Sequence, residues 1–250
     1  MNTLRKKILI LGLTIAAVAL LASCSDDNDD NINNGQGNLQ LKISSTLPNS
    51  TGKTYINSRG INSTLEISDF LINIKEFELE LDDDYYDEQN NGYYGFEDEI
   101  ELEGPFLLDV LSNEFTIVDV AIPNGVYEEI EFEFDKSADS GSILFNKSIL
   151  INGNIDGVPF EFWHDFEDEI EVDFEDTDMD IVINNDNNQL VINFDLTGVF
   201  NGISGVDLSE AVDGNGNGVI EISPIDTDGN NQIAQQIKEK IKLMIDLLDD

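Results

Sequence analysis

One cysteine, one histidine, one tryptophan and five prolines are all that 250 residues contain of these types. With a single cysteine no disulfide framework can form. A closed structural zinc site takes four Cys or His ligands, and Cys24 and His164 are the whole supply. Positive charge is scarce as well: 12 Lys and Arg stand against 52 Asp and Glu, a formal net charge of −40. A surface that negative repels phosphate backbones and anionic head groups, which excludes nucleic acid as a partner. No Gly-rich phosphate loop and no metallohydrolase signature is present. Repeats of 20 to 50 residues are absent too, which argues against a solenoid. What the chain does have is 40% hydrophobic residues, enough to build a core and to set it apart from acidic disordered chains.

The first 23 residues stand outside the fold. Arg5, Lys6 and Lys7 precede an apolar run from Ile8 to Leu21, too short to span a bilayer comfortably. Leu21-Ala22-Ser23-Cys24 resembles the lipobox of bacterial lipoproteins, in which the cysteine is lipidated and begins the mature chain. The resemblance implies a membrane anchor through acyl chains on Cys24, each buried CH₂ contributing ~0.8 kcal/mol. Removal of 1–23 would take away three of the twelve basic residues and none of the acidic ones. The cluster Ser25-Asp26-Asp27-Asn28-Asp29-Asp30 is similar to the surface-export signal of Bacteroidota lipoproteins, which implies an outer-membrane protein facing the cell exterior. Residues 24–38 read as a lipidated cysteine and an acidic, Asn/Gly-rich tether reaching ~20 Å as a flexible coil.

From Leu39 the dominant period is two. Leu39, Leu41 and Ile43 alternate with polar residues, as do Phe70, Ile72 and Ile74, then Phe77, Leu79 and Leu81. The parity changes between 74 and 77, which predicts a β-bulge near Lys75-Glu76 or a break there. Ile130, Phe132 and Phe134 alternate with Glu129, Glu131, Glu133 and Asp135, and Ile170, Val172 and Phe174 with Glu169, Glu171, Asp173 and Glu175. Val158, Phe160, Phe162, His164 and Phe166 share a face, as do Leu190, Ile192, Phe194 and Leu196. Turns are expected at Pro123-Asn124-Gly125, Asn152-Gly153, Asp156-Gly157 and Asn184 to Asn188. These short strands predict a mainly β chain, an antiparallel β-sandwich over 39–200. Glu and Asp are poor strand formers, so their place is the wet face and the edges, where charge blocks sheet-to-sheet association. Ile233, Ile237, Ile241, Met244, Ile245 and Leu248 fall at helical spacing behind Asn230 or Asn231 as cap. Residues 201–250 are therefore expected to hold a loop and an amphipathic C-terminal helix packed on the sandwich.

Three stretches carry a family resemblance: Phe70 to Leu79, Gly104-Pro105-Phe106-Leu107-Leu108-Asp109-Val110-Leu111, and Pro123-Asn124-Gly125-Val126-Tyr127-Glu128-Glu129-Ile130. Together they resemble a domain-of-unknown-function family of secreted bacterial lipoproteins, over roughly residues 40 to 160. The resemblance implies a transthyretin-like or immunoglobulin-like sandwich and brings no catalytic residues with it.

The sharpest candidate site is Asp213-Gly214-Asn215-Gly216-Asn217-Gly218-Val219-Ile220-Glu221. It resembles the calcium loop of EF-hand and dockerin proteins, with Asp213, Asn215 and Asn217 at positions one, three and five and the Val219 carbonyl at seven. Position twelve is Pro224, so Glu221, Asp226 or Asp228 would have to complete the shell. The competing account of the same residues is an Asp/Asn/Gly turn. A second candidate is Asp82 to Glu99, where Tyr85, Tyr86, Tyr93 and Tyr94 flank Asn90-Asn91-Gly92. Tyr with Asn and Gly is the composition of recognition loops for glycan or protein, and equally of an acidic hairpin with paired tyrosines. Trp163 lies out of phase with the apolar face and could stack on a sugar ring or be covered by a neighbouring element. His164 is the one imidazole available to a hydrolase triad, and its apolar neighbours point to a core position instead. The expectation is thus a non-catalytic, lipid-anchored binding or adhesion module stabilised by calcium. Its rivals are a glycan-capture lipoprotein beside an outer-membrane transporter, a component of a surface assembly, and a carboxylate-based glycan hydrolase.

Overall fold

Alternating apolar and polar residues commit each segment to a strand with one dry face, and two dry faces pack together. The computed structural model describes residues 35–46, 54–58, 63–82, 99–112, 115–173, 181–200 and 205–249. In chain order the strands are β1 (Gln36–Thr46), β2 (Thr54–Ser58), β3 (Ser63–Leu81), β4 (Glu99–Asp109), β5 (Phe115–Pro123), β6 (Gly125–Phe134) and β7 (Ile149–Ile155). They continue as β8 (Val158–His164), β9 (Glu169–Asp173), β10 (Ile181–Ile183), β11 (Asn187–Asp195), β12 (Ile220–Ile222) and β13 (Ile245–Asp249). Among the described residues two α-helices, α1 (Leu196–Phe200) and α2 (Asn231–Lys242), and a 3₁₀ turn at Leu208–Glu210 lie between the last strands.

The expected mainly β sandwich forms. One sheet runs β13-β11-β1-β5, and the other is organised around β3. Both are mixed rather than purely antiparallel: β1 pairs with β11 and β8 with β12 in parallel. The 19-residue β3 serves two neighbourhoods. Its first half pairs with β2 and β7, and its second half with β4 and β6, with β9 and β10 beyond β6. Leu39, Leu41, Ile43, Ile192 and Phe194 of the first sheet meet Phe70, Ile72, Phe77 and Phe132 of the second in one core. Phe70 and Phe194 cross between the sheets edge to face, centroids 5.7 Å apart at 81°. Such a pair adds ~0.5–1.5 kcal/mol to the ~1.5–3 kcal/mol from burying each ring.

Local chemistry fixes the register. The expected bulge is present: the pairing of β3 shifts between Ile74 and Glu76 against both β4 and β6, which lets Ile74 and Phe77 face the core. Asp156 and Gly157 take φ of 53° and 82° in the two-residue turn between β7 and β8. Tyr127 is buried and its hydroxyl donates to the Pro123 carbonyl at 2.9 Å, so the Pro-x-Gly-x-Tyr segment closes its own turn.

Two expectations need correction. Asn152-Gly153 is no turn but the middle of β7. A Cβ on Gly153 would stand 1.8 Å from the Glu66 carbonyl oxygen, beside the slip in register between Ile67 and Asp69. The glycine is there for a close backbone approach, which shares its sequence signal with a turn. At the C-terminus the helix stops at Lys242, and Ile245 and Leu248 belong to β13, paired antiparallel with β11. The open edge of β11 satisfies five residues of backbone that a longer helix would have bonded internally. Of the stripe that remains helical, Ile237 and Ile241 are buried on the sandwich as expected and Ile233 is partly buried against it, with Ala234 buried beside them.

Candidate functional site: an array of carboxylates and an Asp/Asn loop

Strand register collects the acidic residues. Outside the core, Glu76, Glu78 and Glu80 of β3 stand opposite Glu103, Glu101 and Glu99 of β4. On the other side they meet Glu133, Glu131 and Glu129 of β6, and Glu133 and Glu131 meet Glu169 and Glu171 of β9. Eleven glutamates from four adjacent strands thus share one face, with Phe77, Leu79, Ile130 and Phe132 packed beneath them. Strands lie ~4.8 Å apart, so carboxylates in a row are held at close range by the backbone itself. Like charges directly opposed destabilise a sheet by ~0.2–1 kcal/mol per pair. Lys75, displaced by the bulge, is the cation here: its ammonium bonds Glu76 at 2.9 Å and also Glu133.

Further along, protons take the place of a cation. A hydrogen bond shared with Glu169, then partial burial, then Glu129 push the Glu131 carboxyl up to about 9. Burial, then a hydrogen bond with Glu99 and the charges around it, push Glu78 up to about 7. Glu76 moves the other way, held below the usual carboxylate range by its bond to Lys75. Among the described residues, Glu129, Glu131 and Glu171 form the group whose ligand oxygens all lie within 4.8 Å of one another, and they could hold a metal ion. Their residue types fit a hard cation, which takes oxygen ligands. The sequence alone places these residues on a wet face. The alternating glutamates in four segments were the available signal, and only strand register could turn them into a cluster.

Asp213, Asn215, Asn217, Val219, Glu221, Asp226 and Asp228 also come together, in the loop that carries β12 and leads into α2. Asp213 Oδ1 accepts from the N–H groups of Gly216 and Asn217 at 2.7 and 3.0 Å, and Oδ2 from Gly218 at 2.8 Å. Asn215 and Asn217 each accept from the N–H two residues on, both at 2.9 Å. Asp228 is buried and accepts from Asn215 and Glu221 N–H at 3.0 and 2.8 Å. Asp226 accepts from the N–H groups of Ser223, Gly229 and Asn230. Asn230 occupies the helix cap position, yet its side chain reaches instead to Val212 and to the Glu221 carbonyl. The loop is therefore knitted by its own acidic and amide oxygens, each oxygen of Asp213 and Asp228 ending on backbone N–H.

Trp163 is half-buried, with the Lys147 ammonium 5.6 Å from its ring centre and bonded to Glu161 at 3.2 Å. His164 is 6% exposed; its Nδ1 accepts the Asp165 N–H at 3.0 Å and its Nε2 faces the Gln235 amide at 2.9 Å. Burial holds its pKa below the usual imidazole value. Cys24, Tyr85, Tyr86, Tyr93 and Tyr94 lie outside the described residues. No helix among the described residues is long and apolar enough to cross a membrane. No family model, no curated protein and no solved structure matches the chain.

Proposed function

We propose that this chain is a non-catalytic binding module, lipid-anchored through Cys24 on the outside of a cell, whose carboxylate face takes up calcium. The observation that carries the metal part is the convergence of Glu129, Glu131 and Glu171 within 4.8 Å. The anchor and the surface location rest on the segment from Arg5 to Asp30, and the kinship with secreted lipoproteins on the motif around Tyr127. Calcium accepts six to eight oxygens at 2.3–2.6 Å in adaptable geometry, which suits carboxylates spaced by a pleated backbone. Magnesium demands a near-octahedral shell at 2.0–2.1 Å and sheds water reluctantly. A cation on this face would replace the proton shared by Glu131 and Glu169 and offset the repulsion along the rows. The Asp/Asn loop is the other place where calcium would bind, through the lone pairs that Asp213 and Asn217 keep beyond their backbone bonds and Glu221 beyond its bond from the Asn215 amide. Either site suits the millimolar calcium of extracellular fluid.

Calorimetric titration with calcium chloride at pH 7.5 tests the metal. Binding lost in Glu131→Gln and Glu171→Gln assigns it to the sheet, and binding lost in Asp213→Ala to the loop. No heat at millimolar calcium in the unsubstituted protein ends the calcium proposal. Labelled palmitate that enters the protein but not the Cys24→Ala variant tests the anchor.

A further inference from the structure

We propose that the docking of α2 on the sandwich is acid-sensitive, and that the neutral imidazole of His164 is the latch that holds it. His164 is the last residue of β8 and the chain's one histidine. Its backbone carbonyl is held by the residue just ahead of β7, accepting from Ser148 N–H at 2.9 Å and Ser148 Oγ at 3.1 Å, which fixes the backbone from which the ring projects. The ring packs edge-on to Phe166, centroids 5.4 Å apart, and reaches α2 through Gln235.

Both ring nitrogens face N–H donors. The Asp165 N–H lies 3.0 Å from Nδ1 and the Gln235 amide nitrogen 2.9 Å from Nε2. A neutral imidazole offers one lone pair, to the connector after β8 or to α2 according to its tautomer. An imidazolium offers none, so a second proton sets donor against donor at both nitrogens.

The charges around the ring come from the connector between β8 and β9 and from α2. Asp165 Oδ1 lies 3.6 Å from Nδ1, on an exposed side chain. Asp168 is tied to Lys238 at 3.5 Å and to Lys242 at 3.1 Å, and Lys238 also pairs with Glu239. On the β7 side the neighbours are Ile149 and, just ahead of the strand, Ser148, and they bring no charge. Asp165 and Asp168 favour an imidazolium, while burial and Lys238 oppose it, and burial is the largest effect. The folded pKa therefore lies below the unfolded value of 6.5. The stabilisation is present above pH 6.5 and is lost as the pH falls through the folded value. Asp168 is held below the ordinary aspartate range and keeps its ion pairs through that window. The carboxylate face responds in the opposite sense, because protons relieve its repulsion.

Since α2 leads directly to β13, a loosened helix also loosens the strand that covers the edge of β11. Hydrogen exchange of the full chain, followed by mass spectrometry from pH 7.5 to 5.0 and corrected for intrinsic rates, reads this directly. Protection across 231–249 is expected to fall by up to tenfold per pH unit below 6.5, while β3 and β6 hold theirs. His164→Asn keeps an acceptor near the Nδ1 position without a titratable ring, and is expected to abolish the fall. Should that variant not fold, Asp165→Asn, on an exposed side chain, is expected to move the midpoint to lower pH. The proposal is overturned by undiminished protection in the unsubstituted protein, by the same fall in His164→Asn, by an unmoved midpoint in Asp165→Asn, or by a midpoint below pH 4.

Discussion

Replacing Glu131 by Gln is expected to stabilise the protein by an amount that grows with pH. Glu131 stands directly opposite Glu78 on one side and Glu171 on the other. At ~0.2–1 kcal/mol for each like-charge pair, relief of both is worth ~0.4–2 kcal/mol. The face is open to water, so screening holds the gain to that range, well under what the full displacement of the carboxyl would imply. Unfolded, Glu131 ionises near 4.5; folded, its pKa is pushed up to about 9. Between those values the folded chain keeps a proton that the unfolded chain has released, and its stability falls as the pH rises. Gln has no such proton. The difference between variant and parent therefore opens from near zero at pH 4.5 and is complete by pH 9. Urea unfolding followed by the fluorescence of Trp163 measures it. With a slope of ~2 kcal/mol/M, a gain of ~1 kcal/mol moves the midpoint by ~0.5 M. Millimolar calcium is expected to raise the parent's midpoint at pH 9 toward that of the variant. An equal gain at pH 5 and pH 9, or a larger one at pH 5, refutes the reasoning, because it would detach the effect from ionisation.

Gly153→Ala forces a Cβ onto the Glu66 carbonyl and the Phe160 ring, and a loss of ~3 kcal/mol is expected in urea unfolding, at the upper end for overpacking. Tyr127→Phe removes the bond to the Pro123 carbonyl and should cost ~1 kcal/mol with no change in the slope of unfolding. Asp228→Ala strips two N–H groups of a charged acceptor, and a loss of ~3 kcal/mol is expected, with faster hydrogen exchange at Asn215 and Glu221.

Several of these features could be read from local pattern alone. The change of parity between Ile74 and Phe77 announces the bulge, because side chains alternate strictly along a strand. The acidic alternation in 129–135 and 169–175 likewise marks a wet face. What local pattern does not contain is which strand lies beside which. That Glu131 faces both Glu78 and Glu171 follows from pairings between segments far apart in the chain, and the parallel pairing of β1 with β11 is non-local in the same way. Gly153 shows a second limit: a turn and a close backbone approach both call for the residue without a Cβ. Ile245 and Leu248 show a third, since a short apolar run serves helix or strand equally well until an unpaired edge decides. In the Asp/Asn loop, metal ligation and backbone capping draw on the same side-chain oxygens, so the spacing of Asp213, Asn215 and Asn217 suits both.

The place of β1 has a mechanical meaning. It is an interior strand, bonded to β11 on one side and to β5 on the other, and it is the first strand among the described residues. Traction applied to β1 from its N-terminal end would run along the strand axis, at right angles to the ladder bonds to the antiparallel β5 and across the slanted bonds to the parallel β11. The bonds to both neighbours would then share the load together instead of opening one after another. Survival under pull is set by the rate of unfolding rather than by equilibrium stability. A domain pulled through an interior strand is thus harder to open than one pulled through an edge strand.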